Sequence, residues 1–221
     1  MYTLYTYPNS YAMTVHCLME ELKLAYECRW VGIFTDNPDP EFQKVSPHAR
    51  VPALVTPDGP VFETGAIALY LAERHGDGGY QIPVGDAERG RFLQWFYYLG
   101  TTLQPDVMVQ FHPEVYFADD KTQERYKAAS RLRLAKILTT LSDAIGDGPF
   151  FFGERITILD FLLALQAVWP EIYPGDMDDY PVIKRHVDRM LTRPAVARIY
   201  ELHMSKRNAP IKGPSPDAAA D

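Results

Sequence analysis

The chain has 221 residues, 47% of them hydrophobic and 23% charged, which suits one or two globular domains with a sizeable core. A formal net charge of −7 argues against a nucleic-acid partner, because phosphate binding draws on clustered Lys and Arg. No stretch approaches the roughly 20 apolar residues of a membrane span.

The start, MYTLYTYPNS, lacks the basic flank and apolar run of a signal peptide. Cys17 and Cys28 form neither a CxxC pair nor a metal spacing, and the six histidines are scattered. The expectation is a cytoplasmic protein with reduced thiols and no catalytic metal. Residues 2–7 alternate as a strand does and run into Pro8-Asn9-Ser10, a turn signal. From Ala12 to Leu24, Val15, Leu18, Met19 and Leu22 fall at helical spacing, with Glu20, Glu21 and Lys23 on the other side. Tyr26 to Phe34 reads as a second strand, Asp36–Pro40 as a loop, and Glu41 to Val45 as a short helix. Two further strands, Ala53–Val55 and Val61–Phe62, precede a helix from about Gly65 to His75. The predicted order is β-α-β-α-β-β-α.

Residues 76–86, GDGGYQIPVGD, carry four glycines and a proline and read as a linker. Everything beyond looks helical. Ala87 to Leu103 places Phe92, Trp95, Phe96, Leu99 and Leu103 near helical spacing, and Pro105 and Pro113 interrupt the next stretch of chain. Lys121 to Ile145 reads as a long amphipathic helix. Thr157-Ile158-Leu159-Asp160 fits a capping box before an apolar run, a folding signal rather than a chemical one. From Lys206 the chain is rich in Pro, Ala and Asp and is predicted to be disordered. The expected division is a domain over 1–76, a linker over 77–86, a helical domain over 87–205 and a tail over 206–221.

The most informative stretch is Ser46 to Glu73, SPHARVPALVTPDGPVFETGAIALYLAE. A proline directly before an apolar strand cannot donate a ladder hydrogen bond, so Pro52 belongs at a strand start or an edge. Cis bonds make up only about 5–6% of X–Pro linkages, so trans is the ordinary expectation for Val51-Pro52. A cis bond would turn the carbonyl and N–H of Val51 outward, free to pair with another extended backbone. Glu63 and Thr64 stand where a helix begins, and the free N–H groups there favour a carboxylate. A plain helix cap by Thr64 with Glu63 solvated is the competing structural reading.

Ser46-Pro47-His48-Ala49-Arg50-Val51-Pro52-Ala53-Leu54, followed by Glu63-Thr64-Gly65-Ala66-Ile67-Ala68-Leu69-Tyr70-Leu71, resembles the glutathione-binding segment of cytosolic glutathione transferases. Only the initial Asn of their NP-x-x-(K/R)-VP-x-L string is replaced, by Ser46. The resemblance covers about residues 1–205. It implies an α/β thioredoxin-like N-terminal domain followed by an all-α C-terminal domain, a cis Val51-Pro52 bond and a homodimer. It also implies glutathione as co-substrate: Val51 and Pro52 would receive the cysteinyl unit by strand addition, Glu63 and Thr64 the γ-glutamyl end, and Arg50 the glycyl carboxylate.

Members of this family ionise the thiol of glutathione with a donor at the end of the first strand or the start of the first helix. A thiol of pKa about 8.5 is only a few per cent ionised at neutral pH, and a donor aimed at the sulfur lowers that value. Aligning Val15 and Glu20-Glu21 without gaps puts Asn9 at the usual serine position and Tyr11 where the cysteine and asparagine classes carry theirs. A short insertion favours Ser10 instead. Ser10 and Tyr11 rank ahead of Asn9, although Asn9 and Ser10 are also ordinary turn residues. Tyr5, within the strand, reads as core. An apolar second substrate is expected beside this turn, with Trp95, Tyr97, Tyr98, Met108, Phe111 and Tyr116 as candidate lining.

The strings look most like the Nu and nitrogen-regulator-like group of bacteria and fungi, which implies glutathione transfer to an apolar electrophile or glutathione-dependent disulfide or peroxide reduction. With no cysteine in the Asn9–Tyr11 turn, chemistry through a mixed disulfide with the enzyme is disfavoured. The alternative is a non-enzymatic, transferase-like interaction or regulatory module.

Overall fold

A computed structural model describes residues 1–35, 37–77 and 79–208. The chain divides into two compact units, Met1–Asp77 with the chain from Leu191 onward, and Gly78–Met190.

The first unit follows the predicted order. Strand β1 (Tyr2–Thr6) leads to helix α1 (Met13–Glu21), β2 (Tyr26–Trp30), α2 (Pro40–Val45), β3 (Ala53–Thr56), β4 (Gly59–Phe62) and α3 (Thr64–His75). The strands form one sheet in the order β2-β1-β3-β4, with β1 parallel to β2 and the other two pairings antiparallel. The sequence explains these places. β1 is central, and four of its five residues are buried, whereas β2 alternates half-buried and exposed positions as an edge strand does. β4 carries Pro60, which an outer strand tolerates because one row of its backbone groups faces away from the ladder. On one face Tyr5 stacks on Phe42 at 5.3 Å within a core of Val31, Val45 and Ala53. From Tyr2 the hydroxyl meets Nε2 of His75 in α3 at 2.6 Å. Tyr5 is thus core, as its strand position implies.

The strands and the first helices end within a few residues of their expected bounds. Phe34 lies beyond β2 because the ladder with β1 ends at the Thr6–Trp30 pair. The expected Asp36–Pro40 loop includes Asp36, which lies outside the described residues. Residues 209–221 of the expected tail also lie outside them.

One association was not legible in the chain order. Helix α9 (Pro194–Ser205), which the sequence places at the end of the helical domain, packs on α1 in the first unit. Arg193 pairs with Glu21 and Arg198 with Glu20, and His16 meets His203 at 3.1 Å. The buried face of α9, Val196, Ile199 and His203, lies on an i, i+3, i+7 row.

In the second unit α4 (Arg89–Tyr98) passes through a π-helical turn, Leu99–Leu103, into α5 (Gln104–Phe111). Pro105 therefore interrupts less than its type suggests: it sits in the first turn of α5, and the widened turn before it takes up the missing N–H. Pro113 opens a short 3₁₀ turn after the helix has ended. Then come α6 (Asp120–Ile145), α7 (Ile158–Ala167) and α8 (Pro181–Leu191). Every residue of α7 is buried, and the expected capping box is complete at its start. No helix among the described residues is long and apolar enough to cross a membrane.

Candidate active site

The register of the sheet gathers three of the predicted segments at one end. β1 finishes at Thr6, and Tyr5 is paired with Ala53, so Pro52 enters β3 beside the point where β1 leaves the sheet. Ala53 is in turn paired with Phe62, the last residue of β4, so Glu63 leaves the sheet there too. The Tyr7–Tyr11 turn, the Arg50–Pro52 segment and the Glu63–Thr64 step thus share one sheet end, at the carboxyl end of β1. In open α/β sheets that end receives ligands.

The Val51-Pro52 bond is cis, as the resemblance implies. Val51 precedes the paired register of β3, so neither of its backbone groups is used in the β1 or β4 ladder. The loop before it is closed by Ser46, itself 2% exposed. Its Oγ accepts the N–H of Arg50 and donates to the carbonyl of Arg50, both at 2.9 Å. Beyond the backbone, the Arg50 guanidinium lies 3.8 Å above the centre of the Phe34 ring. That stack fixes the plane of the guanidinium while its N–H groups point outward from the edges. Phe34 was not a candidate from sequence. Sixteen positions separate it from Arg50, and no local pattern links them.

Glu63 differs from the sequence reading in an informative way. The helix begins at Thr64, one residue earlier than expected, and Glu63 is the N-cap. The competing picture, a side-chain cap by Thr64, does not form: α3 has no side-chain cap hydrogen bond. The first intrahelical bond runs from Ile67 N–H to Glu63 carbonyl, leaving the N–H groups of Thr64, Gly65 and Ala66 at an uncapped terminus. Glu63 has φ 75° and ψ 120°, a conformation that costs a residue with a side chain about 1–3 kcal/mol. It is exposed, at the residue that leads directly into those N–H groups.

The turn after β1 is held by its own groups. Asn9 adopts φ 48°, which Asn tolerates, and Ser10 donates its hydroxyl hydrogen to the Tyr7 carbonyl at 2.7 Å. The Ser10 and Tyr11 carbonyls accept from the N–H groups of Met13 and Thr14 at 3.0 and 3.1 Å, which start α1. The three candidate donors are therefore brought together at the N-terminal end of α1. Ser10 already serves as a turn-closing residue.

In the second unit the aromatic candidates divide. Trp95 is half-buried, packed against Phe151 and edge-on to Tyr98. Tyr97 is 62% exposed and Tyr116 51%. Phe111 meets Trp169 edge-on. Among the described residues no group of His, Cys, Asp or Glu could hold a metal ion.

A four-stranded mixed sheet flanked by helices, followed by an all-helical unit, is the glutathione transferase fold. The chain matches "Glutathione S-transferase, N-terminal domain" over residues 1–73 and "Glutathione S-transferase, C-terminal domain" over residues 105–194. Glutathione S-transferase GstA of Escherichia coli O157:H7 is 31% identical over 162 residues, spanning 73% of this chain and 77% of that protein. Disulfide-bond oxidoreductase YfcG of Escherichia coli K12 is 28% identical over 207 residues, 86% of this chain and 89% of the relative. A sphingomonad glutathione S-transferase complexed with glutathione superposes with a TM-score of 0.80 at 23% identity, over 91% of this chain and 98% of that one. This chain belongs to the glutathione S-transferase family.

Proposed function

We propose that the sheet end built from Tyr7–Tyr11, Arg50–Pro52 and Glu63–Thr64 binds glutathione and ionises its thiol. The observation that carries this reading is Glu63, held at positive φ over an uncapped helix start beside a Val51 backbone unused by the sheet. A carboxylate beside free N–H groups matches the ammonium and carboxylate of the γ-glutamyl end. Val51 offers the N–H and C=O that an extended cysteinyl unit pairs with. Arg50, oriented by Phe34, suits the glycyl carboxylate.

The sulfur then meets the turn at the start of α1. A hydrogen bond to sulfur and the positive end of α1 both favour the thiolate. Ser10, Tyr11 and the Asn9 amide are the candidate donors, and Ser10 would have to release the Tyr7 carbonyl to serve as one. The thiolate attacks an apolar electrophile, forming a carbon–sulfur bond as the leaving group departs with its electron pair. It can equally attack a disulfide, giving a mixed disulfide and expelling one thiolate; a second glutathione thiolate then attacks the mixed disulfide, giving oxidised glutathione and expelling the other. Similarity to YfcG, named a disulfide-bond oxidoreductase, supports the reductase arm. Neither arm needs a cysteine in the turn. A cytoplasmic homodimer completes the reading, and sedimentation at micromolar concentration giving a species of one chain would contradict it.

Calorimetry of Glu63→Ala tests the site. Loss of a hydrogen-bonded charge partner weakens glutathione by about 1.5–3 kcal/mol. Unchanged affinity in the folded variant removes Glu63 from the site. Absence of glutathione binding by the unaltered protein would favour the non-enzymatic module.

A further inference from the structure

A recess of about 500 Å³, open to solvent, lies in the first unit across β1 from the Arg50–Pro52 and Glu63–Thr64 segments. Its size falls within the range of small-molecule sites. The floor is one face of the edge strand β2. Tyr26, Cys28 and Trp30 stand two residues apart, so their side chains point to the same side of the sheet. Each is half-buried, whereas Glu27 and Arg29 between them are exposed. Helix α1 supplies one wall through Glu20, and α9 another through Arg198 and Leu202. Helix α9 rests on α1 and meets β2 at its last residue, where the rings of Trp30 and His203 lie 4.8 Å apart. The recess is the space left over the strand between these contacts.

Its charges do not cancel. Both carboxylate oxygens of Glu20 are engaged: one accepts the hydroxyl hydrogen of Tyr26, and the other pairs with Arg198, which neutralises it. His16, on the same wall, is buried and kept neutral near pH 7 by desolvation, so it adds no charge. Lys206, which caps the C-terminal end of α9, holds its ammonium 5.3 Å from the centre of the Trp30 ring and forms no ion pair among the described residues. A chain of net charge −7 thus carries here a recess with an aromatic floor and one uncompensated cation.

We infer that this recess binds a small aromatic anion, a flat ring system bearing one carboxylate or sulfonate, at a place separate from the glutathione site. The rings cover apolar surface of Tyr26, Trp30 and Leu202, and the anionic group meets Lys206 at the Trp30 end. A cation is repelled at that end, and an uncharged molecule gains nothing from it. Cys28 contributes apolar surface rather than a nucleophile, because burial pushes its thiol up to about 11.

The test uses 8-anilinonaphthalene-1-sulfonate and its uncharged counterpart N-phenyl-1-naphthylamine, which has the same rings without the sulfonate. Occupancy is read at the floor itself, as the rate of Cys28 alkylation by iodoacetamide followed by peptide mass, with the fully buried Cys17 as the internal reference. Saturating sulfonate slows Cys28 alkylation, and S-methylglutathione, which has no thiol of its own, neither slows it nor displaces the sulfonate. In Lys206→Met the sulfonate concentration that gives half protection rises about three- to fivefold, while that of the uncharged probe changes less than about 1.5-fold. Raising NaCl from about 20 to about 500 mM weakens the sulfonate in the unaltered protein by at least about twofold and does not weaken the uncharged probe, which gives a readout free of any variant. Sulfonate binding that leaves Cys28 unprotected overturns the inference, and so does protection of Cys28 by S-methylglutathione. Equal behaviour of the two probes toward both Lys206→Met and salt overturns the anionic class and leaves a plain apolar recess. Failure of the protein to bind glutathione at all would overturn the proposed function while leaving these readouts intact.

Discussion

Ser46 closes on Arg50 from both sides, accepting its N–H and donating to its carbonyl through one oxygen at 2.9 Å each. Ser46→Ala leaves the N–H and C=O of Arg50 without these partners, and is expected to lower stability by about 1–3 kcal/mol. Urea unfolding monitored by circular dichroism measures it. Because the same loop presents Arg50 and Val51, glutathione affinity should fall as well, which calorimetry reads independently.

Glu63 separates stability from binding. At φ 75° a glycine carries no Cβ clash, so Glu63→Gly relieves strain that Glu63→Ala keeps. Glu63→Gly is expected to be more stable than Glu63→Ala by about 1 kcal/mol, with both variants equally weakened toward glutathione. Denaturation midpoints and calorimetry on the same samples check the two halves. If Glu63→Ala is as stable as Glu63→Gly, the backbone there is unstrained.

The fold was legible because its signals are local. Alternation in β1, helical spacing in α1, the Thr157–Asp160 box and the Val51-Pro52 string each fall within about ten residues. The continuity of the candidate segments was legible as well. Arg50, Val51, Pro52, Glu63 and Thr64 stand in one continuous stretch, and the sheet register explains how they reach the turn after β1. The Phe34 stack beneath Arg50 and the His16–His203 bond were not legible. Each joins residues from separate elements, and periodicity carries no information about which faces meet. The one-residue shift at α3 has the same origin: a non-glycine residue at positive φ is not what helix-start statistics favour at Glu63.

Asp160 fastens the start of α7 from within the core. It is fully buried, and its carboxylate accepts from the N–H of Thr157 at 2.7 Å and that of Phe151 at 3.1 Å. Burial raises its pKa, and the neighbouring His186 and those donors oppose the rise. Asp160→Ala strands two buried N–H groups and removes half the capping box, which is expected to cost about 2–4 kcal/mol. Asp160→Asn keeps an acceptor oxygen and should cost less. Thermal or urea unfolding at pH 7 ranks the three proteins. Parity of the alanine variant with the unaltered protein would contradict this role.

The His16–His203 pair predicts a stability that depends on pH in a defined direction. Both groups lie well below the ordinary value of 6.5 in the folded chain, at about 4 and about 3, because burial opposes charge. Arg198 adds to the depression at His16, and each ring faces Trp30, with Tyr26 also against His16. Around them Arg198 is paired with Glu20 and Arg193 with Glu21, and Lys206 lies over Trp30, so burial outweighs the surrounding charge as the cause. Between the unfolded and folded values the unfolded chain takes up protons that the folded chain refuses. Stability is therefore complete above about pH 6.5 and declines as pH falls, by up to about 1.4 kcal/mol per pH unit for each histidine. Urea unfolding at pH 7, 6 and 5 measures the slope. In His203→Asn the slope over this range should fall by about half, since one of the two titrating groups is gone. An equal slope in both proteins would mean that the pair is not what takes up the protons.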